Sequence, residues 1–258
     1  MNVFMSSACQ WRMKMPDIIR FASSAGFSGL EVWTEHPRGQ ETALRLGQMA
    51  SDSGLRLSAH AASWDLNICS HNAAIRQASI NEVKSSIYTA QDLGAEDITI
   101  HPGRRGAPAP GKEFYRKILE DSLGEIGRYA ERMGMRISLE LMEKIPKEFV
   151  TTPEEINGLL AALAPLSCGV TLDVAHMDTT EMFFACAAAI PGVNKIHLSN
   201  RIGERLHVHA FEGDIDTTAI LEYLRDKNLP VIIEGDSLSQ EDLWCILRRI
   251  RLIEQKAA

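Results

Sequence analysis

The amino-acid sequence predicts an α/β protein, a single (β/α)₈ barrel whose closed sheet of eight parallel strands spans residues 1–258. Short apolar runs rich in β-forming residues alternate eight times with longer segments of helical periodicity, and no long linker interrupts the series. Barrels of about this length commonly form one domain. A doubly wound open sheet is the competing fold. Such sheets usually carry a glycine-rich phosphate loop after the first strand, and Ala8–Trp11 contains no glycine.

The alternation and the helix-end signals give the order of the elements. The predicted strands are Asn2–Ser7, Gly29–Trp33, Leu55–Ala59, Asp97–His101, Arg136–Leu141, Gly169–Val174, Lys195–Ser199 and Val231–Glu234. The predicted helices are Pro16–Ser24, Glu41–Ser53, Ala73–Leu93, Glu113–Met133, Pro153–Leu163, Glu181–Ala189, Thr217–Lys227 and Gln240–Glu254. Four helical runs are followed by glycine, which favours the left-handed end of a helix; these are Gly26, Gly54, Gly94 and Gly134. Thr152–Glu155 places a proline and two acids at a helix start.

Composition and charge narrow the functional classes. Hydrophobic residues make up 45% of the chain and charged residues 24%, as in ordinary soluble globular proteins. The net charge of −7 argues against a nucleic-acid partner, because a phosphate-binding surface needs a concentrated positive field. The longest apolar run, Phe183–Ile190, is too short to span a bilayer, so no membrane partner is expected. Five scattered cysteines without a CxxC pair, and no signal-peptide pattern, predict a cytoplasmic protein. A homo-oligomer is left open.

Histidines and carboxylates cluster at the predicted carboxyl ends of successive strands, which converge on one mouth in a barrel. They are His60, His101, Glu140, Asp173, His176, His197 and Glu234, with His207 and His209 in the loop beyond the seventh strand. Imidazoles with carboxylates are the donors that divalent transition metals require, and buried charges are costly unless they are paired or bound to metal. The set predicts a divalent-metal site (Mn, Zn, Co, Fe or Mg).

Six motifs occur in a particular order along the chain. They are Gly26–Glu31, His60 through Asp65–Asn67, Leu93–Ala95 leading to His101–Gly103, Asp173–His176, His197–Leu198 and Glu212–Asp216. In this order they resemble the xylose isomerase-like barrel superfamily, which includes endonuclease IV and many isomerases and epimerases of sugars or sugar phosphates. The resemblance runs nearly from end to end.

In the epimerase branch, the resemblance implies one metal held by Glu140, Asp173, His197 and Glu234. The two glutamates would also be the catalytic acid/base pair: one takes a proton alpha to a carbonyl and the other returns it, while the metal stabilises an enediolate. His176 would hold a substrate oxygen.

In the endonuclease IV branch, the resemblance implies two further ions beside the first. They would be held by His60, His101 and a bridging Glu140, and by His176, His207 and His209. The chain departs from this branch, because the usual Asp-x-His is His207–His209, the usual aspartate after the His197 strand is Asn200, and an asparagine is replaced by Leu141.

Other residues are candidates for substrate contacts. Trp64 could stack on a sugar face, and Arg104 and Arg205 could hold a substrate phosphate, although basic loops are usually just solvated. Glu31 and Trp33 close the second strand and either face the substrate or pack the barrel. The leading function is a metal-dependent isomerase or epimerase of a small polyhydroxy substrate. A multinuclear metal hydrolase of a phosphoester other than DNA is the alternative, and a non-catalytic polyol-binding barrel is the third.

Overall fold

The strands close into a parallel barrel, as the alternation predicts. The computed structural model describes residues 1–106, 111–164 and 166–255. The barrel strands are β1 (Asn2–Ser6), β2 (Gly29–Trp33), β3 (Arg56–His60), β4 (Asp97–Ile100), β5 (Arg136–Leu141), β6 (Cys168–Asp173), β7 (Val193–Leu198) and, after the hairpin strands β8 and β9 given below, β10 (Pro230–Ile233). Each barrel strand pairs with the next, and β1 pairs with β10 to close the sheet. The predicted fold class is confirmed.

A helix follows each barrel strand and covers the outside of the sheet. The helices are α1 (Met15–Ala25), α2 (Ala43–Asp52), α3 (Ala73–Leu93), α4 (Lys112–Arg132), α5 (Pro153–Leu163), α6 (Thr180–Ala189), α7 (Thr217–Leu224) and α8 (Gln240–Gln255). The Thr152 hydroxyl caps α5 by accepting a hydrogen bond from the Glu155 N–H at 3.3 Å. Gly94 ends α3 with φ of 71°, a conformation that side chains disfavour. Within the described ranges, no helix combines the length and the apolar character needed to cross a membrane.

Two short elements were not predicted. Ser7 leaves β1 and begins a 3₁₀ helix, Ser7–Gln10. After β7, the chain forms an antiparallel hairpin of β8 (Asn200–Ile202) and β9 (Arg205–Val208), where only a loop was expected. This hairpin carries His207 to the barrel mouth.

The interior of the barrel is polar, whereas the outer faces of the strands pack apolar side chains against the helices. Six interior side chains are no more than 5% exposed: Glu31, Ser58, Thr99, Ser138, Thr171 and Lys195. They are joined by hydrogen bonds across the barrel, for example from the Thr99 hydroxyl to Glu31 Oε2 at 3.2 Å and between the Ser138 and Thr171 hydroxyls at 2.7 Å. This polar layer lies directly below the candidate site.

Candidate active site

Five of the predicted metal ligands meet at the carboxyl rim of the barrel. His60 and Asp173 are the last residues of β3 and β6, and Glu140 and His197 are the next-to-last residues of β5 and β7. Glu234 directly follows β10. All five are no more than 9% exposed. Parallel strands of a barrel end on the same rim, so residues far apart in sequence become neighbours here.

His197 lies at the centre of three carboxylates. Its Nδ1 atom lies 2.8 Å from Glu234 Oε2, 3.4 Å from Glu140 Oε1 and 4.0 Å from Asp173 Oδ2. His197 Nδ1 and Asp173 Oδ2 are buried and make no hydrogen bond within the described structure. Buried polar atoms are normally satisfied, so these two atoms are aimed at a group that would complete the site. One imidazole and three carboxylates are a donor set that fits a divalent metal.

A second group of donors adjoins the first and shares Glu140. His101 Nε2 lies 2.9 Å from Glu140 Oε2, and His60 Nε2 lies 3.6 Å from the same oxygen. His60 Nδ1 contacts the Ala61 carbonyl oxygen at 2.8 Å, which leaves Nε2 to face the glutamate. The donor atoms of His60, His101 and Glu140 lie within 4.8 Å of one another, close enough to hold one ion.

A third group of donors shares Asp173 with the first. Asp173, His176 and His207 bring their donor atoms within 4.8 Å of one another. His176 Nδ1 contacts the Leu141 carbonyl oxygen at 3.0 Å, so its Nε2 faces Glu143 Oε2 at 3.6 Å and Asp173 Oδ2 at 3.9 Å. Glu143 Oε2 is buried without a hydrogen-bond partner. Glu143 thus adds a carboxylate beside this group that the sequence analysis did not select.

His209 lies apart from these groups. Its Nδ1 accepts a hydrogen bond from the Phe211 N–H at 3.3 Å and lies 4.0 Å from Glu212 Oε1. Among the described residues, His209 belongs to none of the sets that bring three donors together. The hairpin instead brings in His207, whose φ of 56° is unusual for a residue with a side chain.

An open cavity of about 1150 Å³ lies above the rim. Trp64, which is 54% exposed, and Arg104 line this cavity, as Glu234 and His207 do. Arg205 is exposed on β9 and is not among the lining residues. The cavity is large enough for a small molecule and opens onto the carboxylate rim.

Trp33 and Glu31, both on β2, lie on opposite sides of the rim: Trp33 faces the cavity and Glu31 lies inside the barrel. Trp33 lines the cavity and stacks on His60, with ring centroids 4.0 Å apart and an interplanar angle of 7°. Glu31 is fully buried below the rim, where its Oε1 lies 2.9 Å from His197 Nε2. Glu31 therefore contacts a candidate ligand from inside the barrel and does not face the cavity.

The xylose isomerase-like TIM barrel model matches residues 19–244, most of the chain. This protein belongs to that family. The match covers every strand end that carries a candidate ligand, from His60 to Glu234.

Similar proteins of this barrel family include sugar epimerases. An uncharacterized protein of Methanocaldococcus jannaschii is 26% identical over 191 residues, which cover 71% of this chain and 64% of that protein. The fructoselysine 3-epimerase of Shigella flexneri is 20% identical over 213 residues, which cover 79% of this chain and 73% of the enzyme. The crystal structure of a D-tagatose 3-epimerase-like protein superposes with a TM-score of 0.82 at 22% identity, over the whole of both chains. At this identity the structural likeness shows the shared fold.

The charges at the barrel mouth shift the pKa values of Glu140 and His176 in opposite directions. Burial by itself raises the pKa of Glu140, but the nearby His101 and His197 outweigh burial and hold that pKa well below its usual range. Burial by itself lowers the pKa of His176, but Asp173 and Glu140 raise it to about 9. Without a metal, His176 therefore keeps a proton at neutral pH, and its positive charge pairs with the neighbouring carboxylates. A bound metal would supply balancing charge to the same carboxylates.

Proposed function

We propose that this protein is a divalent-metal-dependent isomerase or epimerase that acts on a small sugar, sugar phosphate or related polyhydroxy compound. The observation that carries the proposal is the meeting of Glu140, Asp173, His197 and Glu234 below an open cavity. The similarity to fructoselysine 3-epimerase and to the D-tagatose 3-epimerase-like protein supports the same reaction class.

The proposed mechanism gives each residue one task. Glu140, Asp173, His197 and Glu234 would hold the metal, which when bound would stabilise negative charge that develops on neighbouring substrate oxygens. Glu140 and Glu234 would act as the acid/base pair, one carboxylate removing the proton alpha to the substrate carbonyl and the other returning it. The Leu141 carbonyl fixes the ring of His176, so that its Nε2 is free to hold a substrate oxygen.

The cavity walls suggest how the rest of the substrate is held. Trp64 lies against Trp11 and Trp33, with ring centroids 4.7 Å and 5.7 Å apart, and offers a flat apolar surface for a sugar. Arg104 lies on the same cavity and would receive a phosphate if the substrate carries one. Arg205 is not among the residues that line this cavity, so nothing in the cavity supports its predicted contact with substrate.

Proton exchange tests the reaction class without a coupled assay. The metal-loaded protein is incubated in D₂O with D-fructose, D-tagatose and other ketoses, and NMR follows deuterium entering the carbon next to the carbonyl. Glu140→Gln and Glu234→Gln are each expected to slow this exchange by about 100-fold or more, because general acid–base catalysis contributes about 10²–10⁴-fold. Glu131→Gln, an exposed change on α4, is the matched control and should exchange like the parent. Exchange at the parental rate in both site variants would rule out the acid/base pair.

A multinuclear phosphoester hydrolase is the second candidate. The observation in its favour is that two further donor groups, His60–His101–Glu140 and Asp173–His176–His207, stand beside the first centre. Two-metal sites stabilise both the attacking and the leaving oxygen of a displacement at phosphorus. Metal content per chain after reconstitution separates the candidates. One tightly held ion supports the epimerase, and two or three ions with cleavage of small phosphate esters support the hydrolase.

The same proposal extends to the whole chain. We infer one barrel domain over residues 1–258 and a small-molecule partner in preference to nucleic acid. Solution measurements of molecular mass would test for a homo-oligomer. A cytoplasmic location is supported by the cysteines, all five of which are free.

A further inference from the structure

A buried lysine lies inside the barrel below the candidate metal centre. Lys195 is only 1% exposed and precedes His197 by two residues on β7, so both side chains point into the barrel. Its Nζ lies 2.7 Å from Asp97 Oδ1 and 3.0 Å from Glu31 Oε2, and it donates a hydrogen bond to the Ser58 hydroxyl at 2.6 Å. A buried ammonium is costly unless carboxylates and hydrogen bonds compensate it, and here three groups do.

Glu31 links this lysine to the metal centre above. Its Oε2 is held from below by Lys195, by the Ser58 hydroxyl at 3.2 Å and by the Thr99 hydroxyl at 3.2 Å. Its other oxygen, Oε1, lies 2.9 Å from His197 Nε2. The Lys195 ammonium and the Thr99 hydroxyl hold one oxygen of the carboxylate, so its second oxygen is fixed against the imidazole.

Glu31 has a positive charge directly below it, since Lys195 Nζ lies 3.0 Å from its Oε2. Asp97 is in turn bound by Arg136 at 3.2 Å and by the Asn194 amide at 3.1 Å, so the lysine's second carboxylate is anchored at the lower end of the barrel. The layer is thus a connected set of ions that ends at His197.

We propose that Glu31, held by Lys195, is a positioning residue that selects the metal-binding form of His197. Glu31 Oε1 lies close to His197 Nε2 but off the direction in which a ring N–H would point. The carboxylate therefore acts on the imidazole mainly through its charge. The Glu31 carboxylate beside Nε2 of His197 favours the tautomer with its proton on Nε2. In that tautomer the lone pair of Nδ1 points toward Glu140, Asp173 and Glu234. A carboxylate behind a histidine ligand fixes the tautomer and the ring orientation and makes the ligand more basic. The inference rests on the metal binding proposed above, not on the identity of the substrate.

The competing explanation is that the layer only stabilises the barrel. The two explanations differ in metal affinity, because a structural ion pair changes the stability of the fold without changing which ring nitrogen faces the metal. Ser138 provides the matched control. It is fully buried in the same layer and contacts Thr171 and Asn194, but not Glu31 or Lys195.

The experiment measures Zn²⁺ dissociation constants of the full chain by competition with a chelator, for the parent, Glu31→Gln, Lys195→Met and Ser138→Ala. Glu31→Gln is expected to weaken Zn²⁺ binding by about 10–100-fold, the usual effect of losing a partner behind a ligand, and Lys195→Met to weaken it in the same direction. Ser138→Ala should lower Tm and bind Zn²⁺ within about 2-fold of the parent. Parental Zn²⁺ affinity in Glu31→Gln would overturn the inference and leave the proposed function standing. A parent that binds no metal would overturn both.

A measurement on the parent protein covers the case in which the variants do not fold. With one equivalent of Zn²⁺ and ¹⁵N-labelled histidine, long-range ¹H–¹⁵N spectra report which ring nitrogen is protonated. His197 is expected to carry its proton on Nε2 and the metal on Nδ1. Metal on Nε2, or loss of the proton from Nε2, would contradict the proposal directly.

Discussion

Glu148 gives a pH-dependent test of the electrostatics around the cavity. It lies in the segment after β5, lines the cavity and is partly buried. Burial raises its pKa from 4.5 to about 7, and the negative charge of Glu143 adds to the effect. Because the unfolded chain loses this proton near pH 4.5 and the folded chain holds it to about pH 7, the free energy of unfolding falls as pH rises through that window. Each pKa unit corresponds to about 1.4 kcal/mol, so the upper limit of the penalty is about 3 kcal/mol.

The change Glu148→Gln removes this penalty, and the effect should depend on pH. Allowing for solvent screening of a partly exposed group, we expect the metal-free variant to be about 1–2 kcal/mol more stable than the parent at pH 8. The difference should shrink to a few tenths of a kcal/mol at pH 4.5. Urea denaturation at four pH values between 4.5 and 8 measures it, with Glu131→Gln as the exposed control on α4. A difference that is constant across this range, or one that the control shares, would refute the assigned pKa.

Three further predictions concern the metal and the substrate. If reconstitution shows a second ion, Glu143→Gln should weaken the binding of that ion and leave the first unchanged in a calorimetric titration. Equal loss at both ions would show that Glu143 is not a separate ligand. Treatment with a chelator should lower Tm. Readdition of metal at about 100 times its Kd should restore about 2.7 kcal/mol of stability. A Tm that does not depend on metal concentration in scanning calorimetry would contradict a site formed by the folded chain. Trp64→Ala should raise KM for the identified substrate by about 5–10-fold, since aromatic contacts are worth about 0.5–1.5 kcal/mol, and it should leave metal affinity unchanged. Steady-state kinetics measures the KM, and competition with a chelator measures the metal affinity.

The barrel itself could be predicted because its signals are local and repeated. Each strand is a short apolar run, and each helix is a longer periodic run with its own start and end signals, so the predicted boundaries mostly lie within about three residues of the observed ones. The predicted fourth strand extended to His101, but β4 ends at Ile100, since Pro102 has no N–H with which to continue the ladder. The hairpin of β8 and β9 was missed for a different reason. Its strands are only three and four residues long. The Asn200 side chain holds the hairpin in place by donating hydrogen bonds to the Ala210 and Ile215 carbonyls, which lie too far along the sequence for a local pattern to reveal.

The positions of the candidate ligands could be predicted because a parallel barrel brings strand ends together whatever the loops do. His60, Glu140, Asp173, His197 and Glu234 needed only the strand assignment, and their roles as ligands stay predictions. The loop residues were harder. Whether His207 or His209 faces the rim depends on a positive φ at His207, and a sequence in which both positions are histidine does not say which one turns inward.

Glu31 and Lys195 show which part of the site the sequence contained but did not resolve. All five residues of β2 are buried, so a glutamate in this run had to be paired, and the lysine on β7 raised the same question with the opposite sign. Pairing them requires knowing that side chains of β2 and β7 meet inside the barrel, which depends on closure and register and not on either segment alone. The signal in the sequence was therefore the presence of unpaired charges in buried strands. Such charges indicate a partner of opposite charge across the barrel. Here Lys195 contacts Glu31, and Glu31 contacts the imidazole of His197, which the proposed chemistry needs in one orientation.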